Sequence, residues 1–144
     1  MTSNGNYDYD ANADISKDYM ERFIFPYMQN VTKFKYNSLF AFRMNDGAEF
    51  RIWNGNCLDI RYDINGLDNP PNQQGRDIFI FLLCLNDAER IARFQDKNKV
   101  FGGYIGTNMS RTQALNMCKS NSMTCSSLIE IDGCEFKKDF PYKF

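Results

Sequence analysis

The chain has 144 residues, 43% apolar and 15% aromatic, which suits one compact domain with a real core and excludes a wholly disordered chain. A net charge of -1 offers nucleic acid or an anionic membrane no basic surface, and the absence of histidine excludes His-based triads and imidazole metal ligands. Five cysteines without paired CxxC knuckles give no structural zinc pattern.

Residues 1–13 are polar and lack apolar periodicity, so they read as a disordered leader ahead of a globular domain over 14–144. Over 14–32, Met20, Phe23, Ile24, Tyr27 and Val31 recur at three- and four-residue steps, which predicts a helix packed on the core. Asp14 or Ser16 caps it, and Pro26, lacking an N–H, ends its regular part near Phe25.

Four strands follow. Residues 38–44 and 49–53 flank Asn45, Asp46 and Gly47, residues suited to a tight hairpin turn. Residues 58–64 alternate, with Leu58, Ile60, Tyr62 and Ile64 facing one way and Asp59, Arg61 and Asp63 the other. Residues 78–83 are apolar on both faces and belong in the middle of the sheet. Their short connections predict an antiparallel meander. Residues 88–94 fit either a short strand or a helical turn. Ser110 caps a helix over 111–119, and a second short helix over 125–131 stops at Gly133. An aromatic tail over 136–144 lies on the domain.

The loop between the last two strands carries Asp63, Asn65, Asp68, Asn72 and Asp77. These are oxygen ligands suited to calcium, but also residues that build Asx turns. The EF-hand template fails, because Asp68 stands where it needs glycine and Gln74 where it needs glutamate. Cys118 and Cys125 flank a polar KSNSMT segment, which predicts a disulfide across an exposed loop and an oxidising compartment. Cys84, inside FIFLLCL, reads as a buried free thiol. No nucleophile–base pair or phosphate loop is legible, and Asp59 and Asp63 read as solvated surface charge, so no enzyme is expected.

Three stretches resemble the bacterial type IV pilin-like family, which includes type II secretion pseudopilins. MERFIFPYMQ is similar to the end of its N-terminal helix. DINGLDNPPNQQGRDIFIF is similar to its DxNGxxxPNxxGxDxF stretch, and CSSLIEIDGCEFKKDFPY to its closing segment. The resemblance implies an α+β fold with an N-terminal helix packed on an antiparallel sheet of about four strands. It also implies a structural subunit of a pilus or secretion filament whose partners are other pilin or pseudopilin subunits. The place would be the bacterial cell surface, periplasm or exterior. Calcium, where the family holds it, falls on Asp63, Asn65, Asn72 and Asp77, with Asp68 a local addition. Cys134 stands where the pattern has tryptophan, which suggests a Cys57–Cys134 bridge. The membrane helix of the family is missing, so the chain reads as a soluble head cut from a membrane-anchored precursor, or as a relative without the anchor. A secreted binding module or adhesin, with an exposed aromatic patch near Tyr104 or Tyr142, is the alternative.

Overall fold

The computed structural model describes residues 17–28, 30–36, 39–104 and 108–142. The leader at 1–13 and the caps expected at Asp14 and Ser16 lie outside the described residues.

Residues 17–23 form a short helix, α1, which passes through a 3-10 turn at Phe25–Tyr27. Pro26 sits in the first turn of that 3-10 segment, where a missing N–H costs nothing. The chain then enters β1 (Thr32–Tyr36), β2 (Leu39–Arg43), β3 (Glu49–Asn54), β4 (Leu58–Asp63) and β5 (Ile78–Leu83). Helix α2 (Asp87–Phe94) precedes a short β6 (Phe101–Gly103), and helices α3 (Arg111–Ser120) and α4 (Cys125–Ile131) follow. The strands form one six-stranded sheet in sequence order, and every neighbouring pair is antiparallel.

This overturns the expected helix packed on a sheet of about four strands. The architecture is mostly β, with four short helices, three of them after the meander strands β1–β5. Two strands had gone unseen. TKFKY at β1 begins where the helical spacing ends and lies ahead of the first expected strand, and its residues alternate as a strand requires. In β6 two of the three residues are glycine, which carries no strand signal. The ambiguous 88–94 segment is helical: the Asn86 side chain accepts from the Glu89 N–H at 2.9 Å and caps α2.

The two faces of the sheet differ. The front row Phe42, Phe50, Tyr62 and Phe79 runs in register across β2 to β5. Phe42 stacks on Phe50, and Phe50 packs on Tyr62, each pair with ring centroids 4.7 Å apart. Met20 of α1 packs on Phe40 and Phe42 at one side of this face. Helices α3 and α4 and the tail cover the other side through Leu128, Phe140 and Phe79. The back face carries Arg43, Arg51 and Arg61, whose guanidinium groups lie over Phe34, Tyr36 and Trp53.

Helix α4 guards the free edge of β6. The Tyr104 N–H donates to Ser126 Oγ at 3.0 Å, and the Ser127 hydroxyl donates to the Tyr104 carbonyl at 3.1 Å. The Tyr104 N–H also donates to the Ile80 carbonyl at 3.1 Å, and the Gly103 N–H donates to Glu130 Oε1 at 3.3 Å, so side chains of α4 help satisfy the edge strand. The approach is close enough that a Cβ on Gly103 would lie 2.6 Å from the Ser127 backbone.

Two disulfides are present, Cys118–Cys125 and Cys57–Cys84. The second replaces the expected Cys57–Cys134 bridge and removes Cys84 as the free thiol. Leu58 pairs with Leu83, so Cys57 and Cys84 are the next residues on adjacent antiparallel strands, with Cα atoms 4.4 Å apart. Cys134 is free and exposed.

Candidate functional site

The two covers of the front face do not meet. Between them lies an apolar cleft of about 630 Å³. Its floor is the aromatic row Phe42, Phe50, Tyr62 and Phe79, extended by Ile60 and Phe81 of the next row. Met20, Ile24 and Met28 form one wall, and Ile129, Cys134 and Phe136 the other. Alternation within the strands aims these side chains forward, and the helix spacing of Met20 and Ile24 turns both toward the sheet.

The end of α4 places the far wall. The Cys134 N–H donates to the Ile129 carbonyl at 2.8 Å, and the Gly133 N–H to the Glu130 carbonyl at 3.2 Å. Gly133 and Cys134 both take left-handed conformations, so the helix stops and the chain folds back over the cleft. The tail is then fastened by Arg111, which binds Asp132 through Nε at 2.7 Å and Asp139 through Nη2 at 2.7 Å. Those hydrogen bonds hold the Asp139 carboxyl down at about 2 and lower Asp132 as well.

Among the described residues, no charged residue lines the cleft, and Tyr62 and Cys134 are the lining residues that carry a hydroxyl or a thiol. Burial pushes the Tyr62 phenol up, and the charges of Asp46 and Asp63 push the same way. The site therefore presents carbon and a neutral hydroxyl, and it can hold an uncharged apolar molecule by removing its surface from water.

The loop over residues 64–77 touches the cleft through Ile64 and is held by its own acids. Asp63 is fully buried, accepts from Arg51 Nη2 at 3.0 Å and takes the Gly66 N–H at 3.0 Å. Burial pushes its carboxyl up, against the pull of Arg51. Asp77 accepts the Asn72 and Gln73 N–H groups at 2.8 and 2.6 Å. Asn72 donates through Nδ2 to the Leu67 carbonyl, and Asn69 donates to that of Asn65. Asp68 is exposed. A calcium cage needs these oxygens turned inward on one point, and here the two buried carboxylates face protein donors instead. Among the described residues, no three Asp, Glu or Cys side chains gather as a metal-holding group. Asp63 and Asp77 shape the loop through the backbone N–H groups they accept.

Tyr104 and Tyr142, the expected centres of an aromatic patch, are both half-buried. The cleft went unseen because its walls come from residues 20–28 and 129–136. One signal for it was available: the front-facing positions of β2, β4 and β5 are aromatic or aliphatic throughout, more apolar surface than a few short helices can cover. Among the described residues, no helix is long and apolar enough to cross a membrane.

Comparison with curated proteins and with solved structures finds no match. A family model described as "Family of unknown function (DUF6613)" matches residues 2–144, and the chain belongs to that family.

Proposed function

We propose that this protein is a binding module for an apolar small molecule, working outside the reducing cytosol. The observation that carries the reading is the cleft of about 630 Å³ with an uncharged lining. Pockets of roughly 300–1,000 Å³ with a mostly apolar lining are typical of small-molecule sites. Two disulfides support an oxidising compartment such as the periplasm or the cell exterior. Assembly with other subunits in a filament draws support only from the three similar sequence stretches, which lie here in α1 and its turn, the β4–β5 loop and α4 with the tail.

Titration with phenylnaphthylamine, an uncharged apolar fluorophore, tests the reading. Saturable fluorescence enhancement with one site per chain is expected, while near-ultraviolet circular dichroism stays native. A strictly linear, unsaturable signal overturns it.

A further inference from the structure

We infer that the cleft takes the acyl chain of a single-chain lipid, threaded from the β6 side, with the lipid's polar end left at the mouth beside Cys134 and Phe136. The inference rests on the apolar-ligand reading and names its ligand class.

Three observations carry it. The first is shape. Every strand from β2 to β6 contributes to the lining, so the cleft runs across the strands. At the usual strand spacing that is about 19 Å, a length that suits one extended chain. The second is polarity. Among the described residues a carboxylate or phosphate inside would meet no cation, so a charged headgroup is best left out. The third is the asymmetry of the ends. Phe101 is 48% exposed, Phe136 is 42% exposed and Cys134 is exposed, and all three lie at the β6 and tail side. At the opposite side Met20 and Phe42 are buried, so that end exposes less of its lining, and it is taken here as the blind one. Met20 and Met28 give the blind end adaptable walls.

Cys134 reports on occupancy. Palmitoyl lysophosphatidylcholine, kept below its micelle concentration, is expected to bind one per chain by native mass spectrometry. At a lipid concentration about tenfold above Kd it slows maleimide labelling of Cys134 about tenfold. Shortening the chain weakens binding by about fourfold per methylene removed. Ile24→Trp, which fills the blind end, is expected to reject the palmitoyl lipid and keep the decanoyl one. If the palmitoyl lipid fails to displace phenylnaphthylamine while a rigid polycycle succeeds, the acyl inference falls and the apolar-ligand reading stands. If nothing binds, both fall. Palmitoyl binding that leaves Cys134 labelling unchanged overturns the threading, and so does affinity indifferent to chain length.

Discussion

Arg51 Nη2 lies 3.0 Å from Asp63 Oδ2 across the β3–β4 pair, and the two side chains are 3% and 0% exposed. A buried pair is stabilising chiefly by comparison with either partner alone. Arg51→Met is expected to cost about 3–5 kcal/mol, because Asp63 would remain charged and buried. Adding Asp63→Leu removes that orphan charge and recovers part of the loss, though the Gly66 N–H then loses its acceptor. Urea melts of the two single variants and the double one measure this. Losses that simply add would sink the coupling.

Asp59 gives the fold a pH dependence of the opposite sign to most acids. Burial raises its carboxyl to about 6, against the pull of Arg93 and Arg61. The unfolded chain releases this proton near its ordinary value of 3.8, whereas the native protein keeps it to about 6. Between those values the native state binds more protons, so this group's contribution to stability falls as pH rises through the window. Asp59→Asn is expected to raise stability at pH 7 by on the order of 1–2 kcal/mol and to leave it nearly unchanged at pH 4. Equal effects at both values would refute the assignment.

The two disulfides should contribute unequally. Cys118–Cys125 closes a loop with a separation of 7 residues, and Cys57–Cys84 one of 27. Loop-closure entropy predicts about 2.5 kcal/mol for the first and about 3.5 kcal/mol for the second. Paired Cys→Ser variants, melted without reductant, are expected to rank in that order.

Arg111 ties α3 to the turn after α4 and to the tail. Its carboxylate partners titrate below their ordinary values because of the hydrogen bonds they accept from it. The stabilisation is therefore complete above the ordinary carboxylate range and is lost as pH falls toward about 2. Arg111→Met is expected to speed amide exchange over residues 135–142 at neutral pH and to make no difference near the acid limit. Unchanged exchange at neutral pH would show that Phe136 and Phe140 hold the tail by packing alone.

Local order was more legible than long-range arrangement. The alternation over residues 58–63 and the dense run of Ile78–Leu83 declared themselves as strands because period and burial agree there. At β1 the pattern was ambiguous, since Val31 extends the three- and four-residue steps of α1 while the next residues alternate. At β6 the glycines serve the neighbour: Gly103 leaves room for Ser127, a reason that lies in a helix more than twenty residues away. The loop acids were visible as special, but composition could not say what their oxygens face. Asp63 and Asp77 face an arginine and backbone amides, where a cation had been the other candidate. The cleft combines segments from both ends of the chain, and no local pattern encodes that meeting.

The strands lie in space in the order in which they leave the ribosome. Each new strand pairs with the one made just before it, so the sheet can assemble as it is synthesised. Helices α3 and α4 and the tail emerge last, and until they do, Phe79 and Phe81 lack their cover and Tyr104 lacks its serine partners. A chain stopped short of residue 108 would thus carry a nearly complete sheet with a bare aromatic flank and an open edge, a species that chaperones would hold and that would otherwise associate with its own kind.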